Sequence, residues 1–178
     1  MKRGVVIFAL LVGLAGCQDK SGVFIALDSD FASFRSWPRV ALGSDPLPGH
    51  PPGPRFGYLN HAAPKGAKAY PLGTIIVKTI EPVGAPDTGW EIFAMGKRGG
   101  DFNPEGAKDW EFFRLKIIGD TPHIVSRGLT AIDPDDDGGG GYFDQLGNAF
   151  INMCNGCHGT QASAATDHVL SPLLQPGM

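Results

Sequence analysis

The sequence predicts an α+β domain that is mainly antiparallel β-sheet with a few short helices. Three observations carry this. Glycine and proline are abundant, 26 and 15 of 178 residues, and both penalise helix interiors. Three runs, Thr74–Glu81 (TIIVKTIE), Trp90–Lys97 (WEIFAMGK) and Trp110–Ile118 (WEFFRLKII), are rich in the β-branched and aromatic residues that strands favour. Tight polar loops such as Gly99–Pro104 separate the runs, so antiparallel pairing is the economical arrangement. The length fits one domain with a real hydrophobic core.

From the amino terminus, Lys2 and Arg3 precede an apolar run, Gly4–Gly16. A bilayer span needs about 20 apolar residues, so this run has the form of a secretory signal rather than a transmembrane helix. It ends Leu14-Ala15-Gly16-Cys17, which resembles a bacterial lipobox and implies cleavage before Cys17 and its lipidation. Several acyl chains anchor stably where one does not. Residues 1–16 are therefore expected to be a signal peptide and 17–28 a lipidated cysteine and tether. Gln18 follows the cysteine, which points to the periplasmic side of the outer membrane.

Asp28, Ser29 and Asp30 are N-cap types, and Phe31, Phe34 and Trp37 follow at helical spacing until Pro38. Residues 43–54 carry Pro46, Pro48, Pro51, Pro52 and Pro54 and read as loop or extended chain. In Trp110–Ile118, Phe113, Leu115 and Ile117 share one face and Arg114 and Lys116 the other. Asp133–Gly141 (DPDDDGGGG) is either a calcium loop, with Asp133, Asp135, Asp137 and Asp144 at ligand spacing, or a solvated acidic turn. Phe143, Leu146, Phe150 and Met153 then recur at helical spacing and lead into Cys154.

The net charge of -3 argues against nucleic acid, which demands a basic surface. With Cys17 assigned to lipid, Cys154 and Cys157 remain. They could form a disulfide, hold zinc with His158 and His168, or bond to haem. Cys154, Cys157 and His158 (CNGCH) fall at i, i+3 and i+4, one face of a helical turn. Two thiols there can add to the two vinyl groups of one haem while the next residue offers imidazole to the iron. Export agrees, because that attachment occurs outside the cytoplasm. Only 20 residues follow His158, ending at Met178. Met178 is the sole later methionine and Met153, next to Cys154, sits badly for the iron; with Met95 left open, a five-coordinate iron accessible to a small molecule is expected.

Lys78 stands out on its own terms. Ile76, Lys78 and Ile80 share one face of a strand whose other face carries Ile75, Val77 and Thr79. Both faces read as buried, so the amine is neutral or paired unless it snorkels off a sheet edge. His50, His61 and His123 read as loop or turn residues, and His168 as a cap of the last segment or a neighbour of the haem.

Taken in order, several segments resemble the cytochrome P-460 family, which includes the β-sheet cytochromes c′. They are Phe34–Trp37, Arg55–Asn60, Gly73–Lys78, Asp109–Phe113, and Cys154–His158 followed by Thr166–Leu170. No short strand motif among them is specific; their order, with the haem motif last, is. The resemblance covers most of the mature chain and implies a haem domain over 29–178. In that family one covalent haem c packs against an antiparallel sheet, usually in a homodimer. Enzymatic members oxidise hydroxylamine, exchange electrons with a periplasmic partner, and bond a lysine to the porphyrin edge. That lysine aligns with Lys78, and the distal arginine with Arg55. Other members lack the cross-link and bind nitric oxide. The sequence therefore predicts a haem-dependent oxidoreductase with Lys78 and Arg55 as catalytic residues. A non-catalytic gas-binding cytochrome and a haem-free lipoprotein with zinc or a disulfide at CNGCH are the alternatives.

Overall fold

The computed structural model describes residues 22–45, 53–131 and 153–177. The leader, Cys17, the proline-rich stretch with His50, the acidic loop Asp133–Gly141, most of the amphipathic run before Cys154, and Met178 lie outside the described residues.

Six strands form one sheet in the order β1-β2-β3-β4-β5-β6, and every neighbouring pair is antiparallel. They are β1 (Arg39–Gly43), β2 (Arg55–Leu59), β3 (Ile75–Ile80), β4 (Glu91–Lys97), β5 (Trp110–Ile118) and β6 (Thr121–Gly128). Two short α-helices, α1 (Asp28–Phe31) and α2 (Met153–Thr160), complete the expected class. The three sequence-predicted strands become β3, β4 and β5, the interior of the sheet. Both faces of these three strands are largely buried in this fold, which is why their sequences show strand character so strongly.

One face of the sheet presents Tyr58, Ile75, Val77, Ile92, Ala94, Phe113, Leu115 and Ile117. The amino-terminal segment covers it with Phe31 and Phe34, both fully buried. Phe31 meets Phe113 and Phe34 meets Tyr58, each at 5.3 Å between ring centroids. Burial of a phenylalanine contributes about 1.5–3 kcal/mol, so these two rings are principal anchors of that layer. The opposite face carries Ile76, Met95, Trp110 and Phe112, covered by Tyr70, Val169 and Leu174.

Several expectations are corrected. Residues 22–28 do not form a tether: Phe24 and Ala26 pack into the core, and the Phe24 amide donates to the Arg98 carbonyl at 2.9 Å. Asp28 does not cap the first helix. Its carboxylate accepts from the Ile124 amide and pairs with His123 on β6, both at 2.9 Å, while Asp30 accepts from the Leu27 amide. The helix is one turn long, and a 3-10 turn at Phe34–Ser36 follows it. His123 lies in β6, not in a turn. Pro122 is accommodated because β6 is an edge strand.

Candidate functional site

The cysteine motif is helical, as its spacing requires: Cys154, Cys157 and His158 lie on α2. The helix docks through Asn155, whose side-chain oxygen accepts from the Ala107 amide at 2.8 Å and from Asn103 Nδ2 at 2.7 Å. Gly106 permits that approach, since a Cβ there would fall 2.1 Å from the Asn155 amide group. Cys154 packs against the cluster of Met95, Trp110 and Phe112. Burial pushes its thiol up, opposed by the Ala131 backbone and by Lys78. Cys154 and Cys157 are free thiols. Among the described residues no three His, Cys, Asp or Glu side chains converge as metal ligands.

His158 lies 5.3 Å from Phe112, ring centroid to ring centroid. Its Nδ1 lies 2.8 Å from the His168 carbonyl oxygen. A carbonyl only accepts, so Nδ1 carries the proton and the lone pair sits on Nε2. Burial pulls the imidazole down to about 4, with Lys78 and His168 adding to the effect and the carbonyl bond opposing it. His158 is therefore a neutral, oriented imidazole at physiological pH, the state that ligates iron.

His168 returns the contact, its own Nδ1 lying 3.1 Å from the His158 carbonyl. Asp167 and His168 both adopt left-handed backbone, with φ of 49° and 61°, an unusual conformation for these residues. Contacts to the sheet hold them. Asp167 is ion-paired with Lys97 at 2.5 Å, accepts from the Tyr70 amide at 2.8 Å, and offers its carbonyl to Trp110 Nε1 at 2.8 Å.

Lys78 sits on the same sheet face. Its row runs Gly57, Lys78, Phe93, Arg114 across β2 to β5, and the neighbouring row runs Leu59, Ile76, Met95, Phe112. Adjacent same-face rows are about 7 Å apart, so the row of Lys78 borders the row on which His158 rests. Burial pulls the Lys78 amine down to about 8. Arg55 and Arg114 pull the same way, and Cys154 and Cys157 oppose them. The strand is interior, so Lys78 does not snorkel off a sheet edge. Its Nζ lies 5.1 Å from the Phe93 centroid.

Arg55 is buried on the same face, hydrogen-bonded to the Asp45 carbonyl, and among the described residues its Nε has no partner. The fold thus brings Lys78, Arg55, Cys154, Cys157 and His158 together, although they are far apart in sequence. Arg114, Phe93 and Glu91 complete this face and were not singled out from the sequence. Arg114 stacks over Phe93 at 4.6 Å and pairs with Glu91. The alternation of the strand places Arg114 on a polar face but carries no signal that this face is covered, as it is in the fold. A cleft of about 440 Å³ lined by Phe24, Trp37, Leu72 and Ile75 includes none of the site residues. Met95 is a buried member of the hydrophobic cluster beneath the carboxyl-terminal segment.

Comparison with family models, with curated proteins and with solved structures found no match for this chain.

Proposed function

We propose that this chain is an exported, lipid-anchored cytochrome with one covalent haem c, which oxidises hydroxylamine or a related small nitrogen compound. The observation that carries the reading is the placement of the CNGCH helix. It lies against the sheet face of Lys78, with the His158 imidazole locked by the His168 carbonyl and Nε2 left to ligate. The residues fit the group. Cys154 and Cys157 on one helical face suit two thioether bonds, and the neutral imidazole suits axial ligation. The apolar row of Ile76, Met95 and Phe112 suits a macrocycle packed against the sheet.

A haem held there supplies the redox chemistry. The chain's own residues do the rest. His158 would hold the iron through Nε2. Lys78 presents an amine with a substantial neutral fraction; its bond to a porphyrin edge carbon would replace a C–H bond there, with the two electrons and two protons taken up by an external two-electron oxidant such as a peroxide. Arg55, buried and with Nε unused among the described residues, orients a small polar substrate. Electrons leave to a periplasmic redox partner, with the protein tethered by Cys17 to the periplasmic side of the outer membrane, and the functional unit is a homodimer.

One observation favours a second reading, a gas-binding cytochrome without the cross-link: the Phe93 ring beside Lys78 Nζ favours a charged, uncoupled amine. Mass spectrometry of the haem peptide separates the two. A fragment joining Lys78 to the porphyrin supports the enzyme. Haem bonded through Cys154 and Cys157 alone supports the gas binder, and protein without haem supports neither.

A further inference from the structure

We infer that the buried Lys97–Asp167 ion pair is a positioning device for the axial histidine: through the two left-handed residues it aims the His168 carbonyl at His158 Nδ1 and so sets how strongly that imidazole donates to iron. The inference rests on the proposed haem attachment. Lys97 on β4 and Asp167 are both buried and joined at 2.5 Å. Asp167 is further fixed by the Tyr70 amide and by Trp110 Nε1. Asp167 and His168 occupy left-handed backbone states that are strained for residues with a Cβ. Such strain persists only where surrounding contacts over-determine it. The contacts here lead from an interior strand, through the ion pair, to the one carbonyl that accepts from His158 Nδ1. A shorter, better-aligned bond at Nδ1 raises imidazole basicity, and loss of such partners costs about 10- to 100-fold in metal affinity or activity. Lys97 shares the sheet face of Lys78 but lies two rows away along it, beyond the row of Met95 and Phe112, and the pair reaches His158 through the chain at His168, which makes Asp167 and Lys97 positioning residues and not catalytic ones.

The test compares the full-length, haem-loaded protein with Asp167→Asn. Asparagine tolerates the left-handed backbone but breaks the ion pair. Poised at the wild-type midpoint potential, the variant is expected to shift from equal ferric and ferrous forms to about a tenfold ferrous excess. The iron–histidine stretching band is expected to weaken in frequency. Lys97→Gln removes the pair from the sheet side and should move both readouts in the same direction. Tyr70→Phe loosens the same segment by deleting the 2.6 Å bond to the Leu174 carbonyl, and should lower thermal stability without moving either readout. An unmoved ratio and band in Asp167→Asn, or an equal change in Tyr70→Phe, overturns the inference. Failure of both ion-pair variants to accumulate as folded haem protein assigns the pair to folding alone and also overturns it. Wild-type protein without haem overturns the proposed function and this inference together, whereas haem-loaded wild type with an unresponsive Asp167→Asn overturns only the latter.

Discussion

The depressed basicity of Lys78 can be read directly. The perturbation is pH, and the readout is the reactivity of one amine. An ordinary lysine at 10.5 is neutral in about one molecule in a thousand at about pH 7.5. Lys78, lowered to about 8 by burial with Arg55 and Arg114 assisting, is neutral in about one in four, a gain of about two hundred-fold in nucleophilic amine. The assay is brief labelling of the haem-free chain with an amine-directed acylating reagent across a pH series. Mass spectrometry of the Lys78 peptide follows, with the exposed Lys65 and Lys68 as internal references. Accessibility scales the amplitude of the Lys78 profile but leaves its midpoint in place. A midpoint near 8, well below the ordinary lysine value of 10.5, is expected. A Lys78 profile superimposed on those of the reference lysines would refute the argument that this sheet face prepares a neutral amine.

Two further outcomes follow from the site. His158 is lowered to about 4 from 6.5, so between those values the unfolded chain takes up a proton that the folded one refuses. Stability is therefore lost as pH falls from 6.5 towards 4, by at most about 3 kcal/mol. Denaturant titrations of the haem-free chain should show this loss relative to His158→Gln, whose difference curve would be flat if the reasoning is wrong. Gly106→Ala should force Asn155 away from Ala107 and Asn103 and lower stability by about 1–3 kcal/mol, measured by thermal melting; an unchanged melting temperature would mean that α2 docks by other contacts.

The interior of the sheet was legible because β3, β4 and β5 bury both faces, which forces a continuous apolar and β-branched composition. The edges were not. β1 sits between Pro38 and the proline-rich stretch, and its exposure alternates. β6 opens with Thr121-Pro122-His123, the chemistry of a turn, and becomes a strand because Asp28 supplies partners to His123 and Ile124 from the far end of the sequence. The motif on α2 was legible from spacing alone. The Lys97–Asp167 pair was not, since nothing local at either residue signals a partner 70 positions away. Arg114 was assigned to the polar face of its strand. That face is the correct one, but the sheet buries it.

The account stands on haem bonded at Cys154 and Cys157. Its most direct test is the alkaline pyridine spectrum of protein made in a host that matures c-type cytochromes, alongside the double variant Cys154→Ala and Cys157→Ala. The account predicts one haem c per chain that survives acidic organic extraction and is absent from the variant. Colourless wild-type protein, with both thiols open to alkylation, would contradict it.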